Sequence, residues 1–528
     1  MSKKKKLIVS SFILILLGTS LPFVCPSLYS KATNIYEKIQ VLNQVIALIN
    51  ENYVEKVDWD DVLDGAFHGL LEKLDPHSAY IPKERIESIN EVFHGKFDGI
   101  GIEFDILGGY ITVISPIAGS PSDRAGLQPG DQIIEIEGIS AYKITKDEVF
   151  KKLRGRKGTK VNITVRRRGL EKPFPVEIIR DEIPIRSVTV SFMIDDETGY
   201  IDLNRFSSTT GKEVRTSIES LLSEGMTQLI FDLRTNGGGY LSQAVEVVDQ
   251  FITTEDTLVY TLGRRPDTRE VYLANPQVGN EDFALIILVN RWSASASEIV
   301  SGAIQDLDRG IIAGETTFGK GLVQRQWMLN DGSALRVTIS RYYTPSGRLI
   351  QRPYQNGTSA YYHELTDENR VVTLDSLMAS APAYTTKSGR VVHGGGGIKP
   401  DLYIPQSNYT IATSRVIGHS NRFTFNWGNN KASELRDMWS TLAEFKTEFQ
   451  ITDNMLVEFF GYVRDSDIEF DMEEVERDLD YLRNYLKAEI AGSLWGRQAF
   501  YQVHVAGDNQ VKVAMESFDE ARAFLHHP

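Results

Sequence analysis

The chain has 528 residues and a single cysteine, Cys25. One thiol excludes a disulfide framework and any cysteine-rich metal site. It does not exclude an oxidising compartment, because a chain without paired thiols is indifferent to redox. Basic charge is also short: 57 Lys and Arg against 71 Asp and Glu leave a net charge of −14. Phosphate binding wants the opposite balance, so nucleic acid is excluded as a main partner. There is no internal repeat and no low-complexity linker. What is present, 41% hydrophobic and 24% charged residues, is the composition of a globular protein, and the length suits two to four domains.

The N-terminus carries the first positive signal. Lys3, Lys4, Lys5 and Lys6 precede LIVSSFILILLGTSLPFV (7–24). A basic flank before an apolar run of this length fits an export signal or an uncleaved membrane anchor. No small-x-small cleavage site follows, and Val24 is too bulky for a lipobox before Cys25. The rest of the chain is therefore expected outside the cytoplasm, periplasmic or in the cell envelope, with membrane contact through this segment.

Beyond residues 1–30, four regions follow. Residues 31–92 read as helical. In VLDGAFHGLLEKL (62–74), Val62, Leu63, Ala66, Phe67, Leu70, Leu71 and Leu74 share one face, with Asp58 as cap and Asp75-Pro76 as the end. This predicts a packing helix in a small helical domain. Residues 93–182 alternate short β-like runs with turn signals and hold one helix near TKDEVFKKLR (145–154). Residues 183–404 alternate strand and helix. TQLIFDL (227–233) and FALIILV (283–289) are continuous apolar runs, as in strands buried on both faces, so the region reads as an α/β core. Its last part, 351–404, reads as a long irregular return. Residues 405–528 read as a helical extension, with Val475, Leu479, Leu482, Leu486 and Ile490 in a stripe and an acidic, solvated face at 472–480.

Chemistry concentrates in NRWSASASEI (290–299), at a strand-to-helix junction. Such a junction lifts a side chain to the end of a sheet and aims helix N–H groups at it, which favours developing negative charge. Ser295-Ala-Ser-Glu298 also fits a capping box, so the segment alone leaves two readings: a cap or a nucleophile. RTNGGGYL (234–241) follows the other buried strand, and its glycines allow close backbone approach and free N–H groups. It lacks the spacing of a phosphate-binding loop. A nucleophilic serine needs a base, and none of the nine histidines lies between Ala141 and Gln351. A histidine would have to come from outside, as His77 or His393. The alternative is Lys320, between Gly319 and Gly321. A lysine at its usual pKa of ~10.4 is no base, but burial lowers that value. Otherwise Lys320 is a surface turn residue.

Together these segments resemble the C-terminal processing peptidases, also called tail-specific proteases. FDGIGIEF (97–104) resembles the carboxylate-binding loop of that family's PDZ domain, and GSPSDRAGLQPGDQIIEIEG (119–138) its signature. FDLRTNGGGY resembles the family's DLR-x-N-P-G-G segment, with Gly237 where proline is common. NRWSASASEI with GAIQD, and GETTFGKGLVQ, resemble the nucleophile and lysine blocks, and GGGGIKPDLYIP the closing block. The resemblance covers about residues 40–404. It implies a multidomain α/β fold: a crotonase/ClpP-like peptidase core behind a PDZ domain, with an N-terminal helical region and a C-terminal helical extension. It implies a serine endopeptidase in which Ser295 is the nucleophile, Lys320 the base and Gln324 the residue orienting the lysine. Backbone N–H groups of Ala296 and Gly239 would be the oxyanion donors. Asp306 is either a supporting residue or a structural helix-end residue, and Arg154 is a candidate link from the PDZ domain to the core. Gly99, Ile100, Gly101 and Ile102 would hold the substrate's terminal carboxylate. The implied partners are polypeptides with free C-termini, with oligomerisation through the helical regions. Neither metal nor organic cofactor is implied. An adaptor built on an inactive core is the alternative class.

Overall fold

A computed structural model of the chain describes residues 26–279, 282–407, 409–466 and 470–526. The apolar run 7–24 lies outside the described residues. Among those described, no helix is long and apolar enough to cross a membrane.

The chain divides into two compact units, to Lys73 and from Leu74. The first holds helices Pro26–Asn52 and Trp59–Glu72. Asp58 caps the second, accepting from the N–H groups of Asp60 and Asp61 at 3.1 and 3.4 Å. The packing expected of its apolar face is not found: Val62, Phe67 and Leu70 are exposed, and Leu71 is the one buried residue of this helix. Helical periodicity sets the stripe, but so short a unit has too little chain to cover it.

In the second unit, helix Lys83–His94 ends at Gly95, whose φ of 71° suits a left-handed cap. It leads into a five-strand antiparallel path: Ile102–Leu107, Tyr110–Pro116, Gln132–Ile136, Lys160–Arg166 and Phe174–Ile179. The core of this module is Ile111, Val113, Ile133, Val161 and Val165. Ile102–Leu107 lies at one end of the path, so its outer edge is open in this sheet. Helix Lys146–Leu153 begins with a reciprocal capping box: Glu148 N–H to Thr145 Oγ1 at 3.3 Å, and Thr145 N–H to Glu148 Oε2 at 2.9 Å.

The α/β core is a six-stranded sheet in sequential order: β1 (Val188–Met193), β2 (Thr198–Leu203), β3 (Gln228–Asp232), β4 (Ala284–Val289), β5 (Ile311–Gly314) and β6 (Leu402–Tyr403). The pair β1–β2 is antiparallel and the rest are parallel. Helices α1 (Thr210–Ser223), α2 (Leu241–Val248) and α3 (Ala296–Asp306) cover one face, packing on Leu229, Phe231, Leu285, Ile287 and Val289. The alternate residues, Ile230, Ala284, Ile286 and Leu288, face a second layer. That layer is the end of the C-terminal extension: α4 (Arg497–Ala506), α5 (Asn509–Glu516) and α6 (Phe518–Arg522), through Val505, Val511, Ala514, Phe518 and Ala521. The continuous apolar runs of β3 and β4 are thus explained by burial on both faces.

Two further expectations fail in detail. Residues 351–404 are not an irregular return: they hold helices Thr358–His363 and Arg370–Ser380, a hairpin (Ala383–Thr385 with Val391–His393) and β6. Helices this short give little periodicity, and Tyr361, Leu365, Leu374 and Met378 are fixed by burial instead. The stripe from Val475 to Ile490 is not one helix. It breaks between Met472–Glu476 and Leu479–Trp495, where the Asp478 carboxylate accepts from Thr410 N–H at 2.8 Å and Thr410 Oγ1 at 2.7 Å. A tertiary hydrogen bond overrides the helical pattern there.

Candidate active site

Three serines crowd the turn from β4 to α3, and their surroundings differ. Ser293 and Ser297 are buried. Ser293 Oγ donates to the Leu233 carbonyl at 2.8 Å, and Ser297 Oγ donates to the Asn236 carbonyl at 2.9 Å. Both hydroxyls hold the neighbouring loop. Ser295 lies at the helix entrance with φ 58° and ψ −109°, a conformation that costs a residue with a Cβ. Its side chain lines a cleft of about 440 Å³, together with Gly239, Lys320, Gln324, Arg336 and Tyr342.

Glu298, fully buried, fixes this turn against the lysine loop. Its carboxylate accepts from Ser295 N–H at 2.8 Å, Lys320 N–H at 2.9 Å, Gly319 N–H at 2.6 Å and Thr317 Oγ1 at 2.6 Å. The capping-box glutamate therefore serves two segments at once. Burial pushes its pKa up, opposed by these hydrogen bonds. Tyr342 makes a second bridge: its hydroxyl lies 3.1 Å from the Ser295 carbonyl and 2.7 Å from the Lys320 carbonyl.

The glycine loop packs against the same turn. A Cβ on Gly238 would lie 2.7 Å from the Ala294 carbonyl oxygen and 2.9 Å from the Ala296 nitrogen. One on Gly239 would lie 2.1 Å from the Phe206 carbonyl oxygen. Only glycine fits at either position. Buried Asn236 braces the loop, donating from its amide to the Leu203 carbonyl at 2.6 Å and accepting from Gly238 N–H at 2.9 Å. The N–H groups of Ala296 and Gly239 have no acceptor among the described residues.

Burial lowers the Lys320 amine from 10.5 to about 8, with the Arg336 guanidinium adding to the effect. At that value an appreciable fraction is neutral at pH 7. Gln324 sits at a bulge in strand Leu322–Met328, and its amide donates to Thr338 Oγ1 at 3.3 Å; no hydrogen bond to Lys320 is formed among the described residues. His77 approaches from the N-terminal side of this unit, Nε2 lying 3.2 Å from the Tyr361 hydroxyl. Burial, then the Lys320 charge, lowers it to about 3, so it is neutral at any physiological pH.

The remaining sequence candidates lie elsewhere. Asp306 ends α3, eleven residues beyond Ser295, about 16 Å along the helix. Fully buried, it forms an ion pair with Arg348 at 2.7 Å and accepts from Ser346 N–H at 3.0 Å. It does not line the cleft. Arg154 caps helix Lys146–Leu153, pairs with Glu91, and lies over the Phe97 and Phe150 rings at 4.8 Å each. In the 99–102 loop, the Ile100 and Gly101 carbonyls are tied inward by Ser122 N–H at 2.9 Å and Ile117 N–H at 3.0 Å. Gly101 has φ 80° against Ser120. The Ile100 and Gly101 N–H groups are left without acceptors among the described residues.

Comparison with known proteins gives the family. Residues 197–358 match peptidase family S41, 112–167 a PDZ domain, and 26–85 the N-terminal domain of the activating protease CtpB. Over 324 residues the chain is 35% identical to a carboxy-terminal-processing protease of Bartonella bacilliformis, covering 60% of this chain and 74% of that one. The chain belongs to the carboxy-terminal processing proteases. It is also 35% identical over 316 residues to the carboxy-terminal processing protease CtpA of Bacillus subtilis, covering 60% of this chain and 67% of that one. A solved photosystem II D1 C-terminal processing protease is 26% identical, with 67% of this chain and 84% of that one aligned at a TM-score of 0.33. Residues 415–496 match a family of unknown function.

As a carboxy-terminal processing protease the chain is a serine-type peptidase with a PDZ domain. Sequence reasoning missed three residues that build the cleft. Glu298 was visible as half of a capping box, but its reach to Gly319 and Lys320 was not. Tyr342 and Asn236 carried no spacing signal, because their partners are 22 to 47 residues away.

Proposed function

We propose that the chain is an exported endopeptidase that takes the C-terminal tail of a polypeptide into its PDZ domain and cleaves upstream through a Ser295–Lys320 acyl-enzyme mechanism. The observation that carries this reading is the shared cleft: a serine at positive φ on a helix N-terminus, opposite a desolvated lysine, with Glu298 hydrogen-bonded to the backbone of both. The substrate tail adds as a strand to the open edge of Ile102–Leu107, its carboxylate on the N–H groups around Ile100 and Gly101. Neutral Lys320 takes the Ser295 proton as Oγ attacks the scissile carbonyl. The oxyanion is held by the Ala296 and Gly239 N–H groups, each worth about 2.7–4 kcal/mol by analogy with single oxyanion donors. The protonated lysine returns the proton to the leaving amine. Water, deprotonated by Lys320, then resolves the acyl-enzyme. Gln324, in the same cleft, orients the amine once substrate closes the site. Arg154 connects the tail groove to helix Lys83–His94 through Glu91.

Residues 7–24 serve as the export signal or an inner-membrane anchor. The exposed apolar stripes of the N-terminal helices give the chain a surface for self-association. The test is mass spectrometry of products from an unfolded protein with a free C-terminus, beside the same protein amidated. Upstream cleavage slowed by amidation is expected, with none in Ser295→Ala. Undiminished cleavage by Ser295→Ala removes the mechanism, and tail binding without cleavage by the unmutated chain makes it an adaptor.

A further inference from the structure

The C-terminal layer reaches the foundations of the glycine loop. Asp508 caps α5, Oδ1 accepting from Gln510 N–H at 2.8 Å and Val511 N–H at 3.2 Å. Its other oxygen lies 2.8 Å from an Arg234 guanidinium nitrogen. Gln510, 2% exposed, accepts from the same nitrogen at 2.8 Å and donates to the Ile404 carbonyl at 2.7 Å. Arg234 opens the turn from β3 to Gly239, and it also grips the Asp232 carboxylate with three contacts of 2.6–3.0 Å. Asp232 accepts from the Tyr200 hydroxyl at 2.7 Å. Beside it, Asp202 is raised to about 6 by burial and then by the Asp232 charge. Arg234 is the cation bonded to Asp232 in this acidic pocket. Its orientation is set from two sides: the sheet holds one through Asp232, and α5 holds the other.

We infer that Asp508 and Gln510 are positioning residues of the peptidase, which hold Arg234 and through it the loop that presents the Gly239 N–H. The inference rests on the reading of Gly239 as an oxyanion donor. It gives the C-terminal extension a part in the reaction: α5 completes the back wall of the loop, as α3 completes its front. Burying a face of the sheet needs only apolar residues, whereas Asp508 and Gln510 place a charge and an amide on one guanidinium. Positional errors of an ångström in such a group are costly to the transition state and nearly invisible to ground-state binding.

The test uses the full chain and a tailed peptide substrate. Asp508→Asn keeps an oxygen for the helix cap and removes the charge. Gln510→Leu keeps the bulk and removes both hydrogen bonds. Each is expected to lower kcat per folded molecule roughly tenfold with KM little changed. Asp508→Glu, which returns the charge, should recover most of the loss. Asp519→Asn is the control from the same layer: it pairs with Arg522 on the exposed surface and should leave kcat intact. Wild-type kcat in both Asp508→Asn and Gln510→Leu overturns the inference. So does a loss that follows the folded fraction rather than kcat per folded molecule. A parallel Ser295→Ala chain separates the levels: if it is inactive while Asp508→Asn is normal, only the inference falls. If it stays active, the peptidase reading falls first.

Discussion

Lys320 offers a prediction in which activity and stability move in opposite directions. Its amine falls from 10.5 to about 8, mainly through burial. The unfolded chain therefore binds more protons than the folded one between about pH 8 and 10.5, so this residue makes stability rise with pH across that window. Below pH 8 its full cost is present, up to about 3 kcal/mol at 1.36 kcal/mol per pKa unit. Lys320→Met keeps the stem and removes the charge. It should raise unfolding free energy at pH 7 by up to about 3 kcal/mol, lose most of that gain by about pH 10.5, and abolish proteolysis. In the unmutated chain, about a tenth of the amine is neutral at pH 7 and about nine-tenths at pH 9, so kcat/KM should rise about tenfold over that range and level off. Replacing Arg336 by glutamine removes the second cause of the shift and should move the rise to higher pH. The assays are urea melts of both chains at pH 7 and 10, and initial rates on a tailed peptide from pH 6 to 10. Destabilisation by Lys320→Met at pH 7 would refute the buried-amine argument. A rate plateau already reached below pH 7 would refute Lys320 as the base; His77, lowered to about 3 and so neutral across the whole assay range, would give such a flat profile.

Two further outcomes follow from the geometry. Gly239→Ala should lower kcat by roughly a hundredfold or more, because its Cβ would fall 2.1 Å from the Phe206 carbonyl oxygen and the loop must shift; steady-state kinetics with near-normal activity would show that this N–H is not used. Asp306→Ala should cost about 3–5 kcal/mol of stability by leaving Arg348 buried and unpaired, with kcat per folded molecule preserved; denaturant titration showing unchanged stability beside a lost kcat would return Asp306 to the catalytic list.

Much of the fold was legible because its signals are local. Short β-like runs separated by turn residues marked the strands of the PDZ region. Continuous apolar runs marked β3 and β4 as strands covered twice. The order of FDLRTNGGG, SASASE and FGKG placed the cleft in one region of the chain. What was not legible depends on partners far away in sequence. The run of β4 announced a second covering layer, but nothing local said that residues 501–525 supply it. The helix break at Asp478 is set by Thr410, 68 residues earlier.

The same division runs through the site. The sequence by itself determined that a serine stands at a helix entrance, that glycines stand opposite, and that a lysine between glycines was available as a base. The tertiary structure decided which serine is free, since the Ser293 and Ser297 hydroxyls are spent on the Leu233 and Asn236 carbonyls. It also decided that Lys320 is desolvated, that Asp306 pairs with Arg348 away from the cleft, and that Glu298 joins two loops. Residue type and spacing fix what a side chain is able to do, while burial and hydrogen-bond partners, which only the packed chain supplies, fix its charge state and its direction.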